Sequence, residues 1–203
     1  MLKKMLYPLA AGFFACLLFY GYSVQKDLSD ELLRLHVVAN SDSEYDQAVK
    51  LHVRDEILNT SRQNFSEAEN KEACRKKLLS SKKEIEKTAA AALSDCGADY
   101  GVQVSMERAY IPRKSYDGIV LPEGSYESMV VRLGKAEGKN WWCVVYPPLC
   151  FTEEVSGGLS DEAKEYLKNT LSEESYSLIT EDGIDIEYKF KIVELLQKIK
   201  KSF

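Results

Sequence analysis

The chain has 203 residues, 45% of them hydrophobic and 29% charged, with a formal net charge of −5. That composition supports a buried core and excludes a disordered chain. The acidic balance repels phosphate backbones and no basic run lines a groove, so nucleic-acid binding is set aside.

Residues 1–4 carry Lys3 and Lys4, and an uncharged apolar run follows over 6–22. A basic start followed by an apolar run reads as a secretory signal. The run exceeds a usual signal core and approaches the lower limit of about 17 residues for spanning a bilayer. Two outcomes stay open for residues 1–25, a cleaved signal peptide or an uncleaved signal anchor. Gly21 and Ser23 offer small residues to a signal peptidase, whereas Pro8 and Gly12 weaken a continuous helix. Cys16 reads as a small apolar residue within the run, because Phe13 and Phe14 before it are too bulky for a lipidation site. Residues 26–203 then form a single exported domain, long enough for one core.

Within that domain, 32–39 is rich in branched residues and predicts a strand. Asn40, Ser41 and Asp42 end it. Ser43 followed by Asp46 makes a capping box, so a helix should begin near Glu44 with Tyr45, Val49, Val53 and Ile57 on one face. Asp46 and Lys50 can pair at i,i+4, while Arg54 repels Lys50. Residues 66–95 predict a second helical stretch with a buried edge at Leu78, Ile85, Ala89 and Leu93, stopped by Gly97. Strands are predicted over 101–111, 119–121, 125–133 and 141–146, with a turn at Pro122-Glu123-Gly124 and a stop at Pro147-Pro148. A helix opens at Ser160-Asp161-Glu162 and runs to about Leu171. Tyr188, Ile192, Leu195, Leu196 and Ile199 line a last helix. The order predicts an α+β fold, a mostly antiparallel sheet with helices packed on one face, after the N-terminal segment.

The thiols are the first suspects for chemistry in an exported chain. Cys74, Cys96, Cys143 and Cys150 follow the signal segment. Cys74 and Cys96 lie 22 positions apart, about 33 Å along one helix, and cannot bridge unless that helix breaks near Ser80-Ser81. Cys143 and Cys150 flank the double proline, where the chain can turn back to form a disulfide. A catalytic thiol needs a base, and His36 and His52 are the only histidines, with no local motif joining them to a cysteine. Residues 42–46 offer oxygen ligands but lack the glycine and distal glutamate of a calcium loop. No phosphate loop, dinucleotide fingerprint, metal-spaced Cys/His set or nucleophile elbow is present. No catalytic residue, metal site or cofactor is therefore assigned, and a non-catalytic binder is expected.

Two stretches are more particular than a generic core. They are LRLHVVANSDSEYDQAVKLHVRDEIL over 33–58 and LPEGSYESMVVRLGKAEGKNWWCVVYPPLCF over 121–151. The runs R-x-x-V-x-A-N-S-D-x-x-x-D-Q-x-x-K-x-x-V-R-D and N-W-W-C-V-x-x-P-P-L-C-F resemble the stage II sporulation protein R family. One departure falls at Ala136, where that family more often shows a glycine, which touches the conformation of a hairpin at 134–138. The resemblance implies a signalling protein made in the forespore and exported into the space between the two membranes, secreted or membrane-tethered. There it would activate the membrane-embedded aspartic protease that processes the sigma factor E precursor. It implies no enzyme activity of its own, and contact with membrane only through the N-terminal segment. The rival classes are an exported envelope thiol enzyme and a cell-wall-binding structural protein.

Arg34, Asn40, Asp42, Asp46, Gln47, Lys50, Arg54 and Asp55 form a polar set expected at the strand-to-helix junction. They are read either as caps that pin the helix to the sheet or as a surface contacting the protease. Trp141 and Trp142 alternate on a strand, so one can face outward as an anchor. Pro147 and Pro148 are expected to present an exposed loop, a second candidate contact.

Overall fold

The computed structural model describes residues 2–66, 68–116, 119–149 and 161–180. Among them the order is α1 (Leu2–Glu31), β1 (Leu33–Val38), α2 (Glu44–Ser66), α3 (Lys71–Ser80), α4 (Lys82–Asp95), β2 (Val102–Ile111), β3 (Lys114–Tyr116), β4 (Ile119–Leu121), β5 (Gly124–Leu133), β6 (Asn140–Tyr146), α5 (Asp161–Thr170) and α6 (Glu173–Ile179). The fold is α+β. The last helix read from the sequence lies outside the described residues.

The main sheet has the order β2-β5-β1-β6, and β3 and β4 pair separately. β2 with β5 and β1 with β6 are antiparallel, but the central pair β1 with β5 is parallel. The sheet is therefore mostly antiparallel, as expected, but its one parallel pair makes it mixed. β1 lies between β5 and β6, so the segment 134–139 is no hairpin and instead arches over the C-terminal end of β1. Local patterning identifies strands but carries no information about which strand lies beside which.

Helices also pack on both faces, not one. α2, α3 and α4 bury Val49, Val53, Ile57, Leu78, Ile85 and Ala89 against Leu33, Leu35, Val37, Val104, Met129 and Val131. A second core on the opposite face joins Leu28, Leu32, Ile111, Ile119, Leu121, Tyr126, Val144, Leu167, Leu171 and Ile179. It is roofed by the end of α1, the β3–β4 hairpin, α5 and α6. The sequence carries this signal in β1, where all six residues are buried without alternation, as befits a strand covered on both faces. Opposite Leu33 and Arg34, β6 carries one extra residue, and this bulge lets Val145 and Tyr146 both join the first core.

α1 is continuous through Pro8 and Gly12 to Glu31. Its last turns belong to the folded domain. Leu28 is fully buried, Gln25 Nε2 donates to the Glu123 carbonyl, and Asp30 accepts from Arg108 at 3.1 Å. No helix among the described residues is long and apolar enough to cross a membrane.

The stretch 66–95 is two helices, not one. Ser81 both ends α3 and begins α4. α4 then stops as expected: Gly97 takes φ +71, its N–H reaches the Ser94 carbonyl at 2.9 Å, and the Ala98 N–H reaches Leu93 at 3.0 Å. That is a Schellman ending, with glycine supplying the left-handed residue.

Candidate functional site

The strand-to-helix junction is built around Asp46. Ser43 caps α2 through its hydroxyl, which accepts from the Asp46 N–H at 3.1 Å. The Asp46 side chain does not return the bond as a full capping box requires. It turns inward and accepts from Asn40 Nδ2 at 2.9 Å, from the Ser41 hydroxyl at 2.5 Å and from the Tyr100 hydroxyl at 2.6 Å. These bonds, Ser41 first and Tyr100 next, hold its carboxyl down at about 2. Burial and the same bond to Asp46 push the Tyr100 phenol up.

The same residues hold the 134–139 arch. Asn40 Oδ1 accepts from the Lys135 N–H at 2.9 Å, and Asp42 Oδ1 from the Lys139 N–H at 2.6 Å. Gln47 Nε2 donates to the Ser41 carbonyl at 2.8 Å. Lys50 Nζ donates to Gln47 Oε1 at 2.7 Å and to the Lys139 carbonyl at 3.2 Å. The expected Asp46–Lys50 pair is not formed, because Asp46 is committed to the junction. Burial, and after it the charge of Arg54, lowers the Lys50 ammonium, in keeping with the predicted repulsion.

Asn40, Asp42, Asp46, Gln47 and Lys50 are thus brought together, and Arg34, Arg54 and Asp55 are not. Arg34 points to the opposite face, where it is fully buried. Its Nε donates to the Cys143 carbonyl and its Nη2 to the Tyr116 hydroxyl, both at 3.1 Å. Its guanidinium lies 5.0 Å from the Tyr126 ring centroid. Strand alternation accounts for this, since residues two and four positions from Arg34 share its face and the junction lies beyond the strand. Arg54 sits further along α2, pairs with Asp55 at 2.7 Å and lies 5.2 Å from the Trp141 ring centroid.

Trp141 and Trp142 are both half-buried and face opposite sides of the sheet. Trp141 packs toward the first core and Trp142 toward the second. Pro147 is buried, Pro148 is half-buried and Leu149 packs into the second core, so among the described residues of the expected exposed loop only Pro148 reaches the surface. The Tyr146–Pro147 peptide is cis.

Cys74 and Cys96 are free thiols, although the helix between them does break at Ser81. Burial pushes the Cys74 thiol up to about 11, away from the thiolate that nucleophilic chemistry needs. Cys143 is disulfide-bonded, and Cys150, the partner the sequence suggested, lies outside the described residues. Among the described residues no group of three or more His, Cys, Asp or Glu side chains could hold a metal ion.

Sequence reasoning missed Tyr100, Lys139 and the two glycines of the arch. Gly134 takes φ +56, and a Cβ on Gly138 would overlap the Ser41 carbonyl. The A-N-S-D run demanded a partner surface of this kind, but that surface lies about a hundred residues away in the chain, and nothing local marks it.

This architecture defines a class, a mixed α+β domain whose polar run locks a helix start to a strand crossover. The family model described as stage II sporulation protein R matches residues 29–156. The chain is also 32% identical over 155 residues to a Bacillus subtilis (strain 168) protein named "Stage II sporulation protein R", covering 76% of this chain and 68% of that one. No solved structure matches. The chain belongs to the stage II sporulation protein R family, and its role lies in sporulation.

Proposed function

We propose that this protein is an exported sporulation signal that activates the membrane-embedded aspartic protease processing the sigma factor E precursor. The observation that carries this reading is family membership, since the matched region, 29–156, holds both particular runs in full. The basic and apolar N-terminus supports export from the forespore into the intermembrane space.

A ligand activates a protease only by binding its active state more tightly than its inactive one, and driving a two-state equilibrium from 1:99 to 99:1 takes about 10⁴-fold preference. The domain acts by aligning protease subunits that each lend one aspartate. Its own carboxylate at the junction, Asp46, is saturated by three side-chain donors and serves the fold. Contact falls to groups outside that network, with Arg54, Asp55 and Trp141 as the first candidates. Co-expression of the protease and its precursor, with and without this chain, tests the reading. Precursor cleavage should require the chain, and cleavage that proceeds equally in its absence refutes activation.

A further inference from the structure

Among the described residues, the buried side-chain polar atoms without a hydrogen-bond partner, Ser175 Oγ apart, are concentrated in one place. Arg34 Nη1 and Trp142 Nε1 are buried and unpartnered, and both ring nitrogens of His36 and Asn140 Oδ1 are buried with no well-formed hydrogen bond, only a loose contact with one another. Arg34 and His36 alternate on β1, and His36 pairs in register with Trp142 and Val38 with Asn140. The four side chains therefore share one face of two adjacent strands. His36 stacks on Trp142 with ring centroids 5.6 Å apart. Leaving a buried polar group unpaired is costly, and an isolated one calls for an explanation. Several on one face call for a common one.

We infer that this face is a binding site for a carboxylate group, held by the Arg34 guanidinium and the Trp142 indole N–H, with His36 and Asn140 beside them. The charge and the donor count decide the ligand class. Arg34 is buried at 0% exposure and makes no carboxylate pair, and Arg is always charged. Lys114 Nζ lies 4.1 Å from the Trp142 ring centroid, adding a second cation at the rim. Arg132 is also near, but Glu107 pairs with it at 2.5 Å. Burial, and the neighbouring Arg132 and Arg34, hold His36 toward its neutral form against the opposing pull of Asn140 and Glu107. Neutral imidazole offers one donor and one acceptor. The face thus presents a fixed positive charge and at least two N–H donors, which suits an anion with two oxygens. Trp142 and Asn140 are only half-buried and bring this face to the surface, where a ligand enters by parting the atoms that cover their polar groups. The site is separate from the Asp46 junction and does not depend on the protease reading.

The full chain, labelled with ¹⁵N, is titrated with sodium acetate and with acetamide at matched ionic strength, following the Trp142 indole and His36 ring resonances. A glutamate-containing pentapeptide and its glutamine counterpart form the second pair. Acetate or the glutamate peptide should shift both resonances saturably, while acetamide and the glutamine peptide should not. Tighter binding of the peptide identifies an acidic side chain of a partner as the source, and binding of acetate alone a free small carboxylate. Trp142→Phe keeps the ring and removes the donor, so the His36 titration should weaken about five- to tenfold. The inference is overturned if neither acid saturates, if the neutral analogues shift the resonances equally, or if Trp142→Phe leaves binding unchanged.

Discussion

The Tyr100 hydroxyl donates to Asp46 Oδ1 at 2.6 Å, joining the first turn of α2 to the approach of β2 across 54 positions. Two elements that share no local sequence are thereby locked to the same carboxylate, which also collects Asn40 and Ser41 from the end of β1. Coupled partners of one network give non-additive losses. Asp46→Asn and Tyr100→Phe should each cost about 1–3 kcal/mol, and the double variant less than the sum. Urea unfolding of the four proteins gives the coupling, and strict additivity would remove Tyr100 from the network.

The same carboxylate predicts an acid response. Its folded value of about 2 lies below the ordinary 3.8, so ionised Asp46 favours the folded state. The contribution is whole above 3.8 and disappears as pH falls through about 2. Asp46→Asn lacks this titration, so the stability gap between the two proteins should narrow between pH 4 and about pH 2. A constant gap over that range would place the lowered carboxyl elsewhere.

Ala136 takes φ +57 in the arch over β1, in the left-handed region that costs a non-glycine residue about 1–2 kcal/mol. Ala136→Gly removes that strain at the cost of a more flexible unfolded chain, and should be neutral or stabilising by up to about 1 kcal/mol. Gly138→Ala should destabilise markedly, because its Cβ meets the Ser41 backbone, not a side chain that can swing aside. Melting temperatures of the two variants should move apart, and equal shifts would contradict the arch geometry.

The end of α1 is part of the core. Leu28→Ala empties a fully buried site and should cost about 2–5 kcal/mol. Exposed replacements on α2 behave differently. Asp55→Ala, at a half-exposed surface pair, should change stability by no more than about 0.5 kcal/mol. Loss of protease activation in that stable variant would then report a contact and not a folding defect.

Much of the fold was legible because its signals are local. Ser43 as the cap of α2, Val49, Val53 and Ile57 as its buried stripe, Gly97 as the stop of α4 and the alternation of Val102, Val104 and Met106 each need only neighbouring residues, although Tyr45, read on the same stripe, is exposed at the start of the helix. The insertion of β1 between β5 and β6 needs pairings over about a hundred positions, and no periodicity encodes them. The second core stayed hidden for a related reason: α6 and the three-residue β3 are too short to carry a pattern of their own. Of the polar run, Asn40, Asp42, Asp46, Gln47 and Lys50 were rightly grouped by proximity in sequence. Arg34 was misplaced, because the rest of β1 separates it from the junction at Asn40 and the sheet hides it on the other face.

The central claim concerns activation, and reconstitution tests it most directly. The protease and its sigma factor precursor are placed in proteoliposomes, and purified full chain is titrated in while precursor cleavage is timed. The account predicts a cleavage rate that is near zero without the chain, rises with its concentration and saturates. A rate that is the same at every concentration, including none, would contradict it.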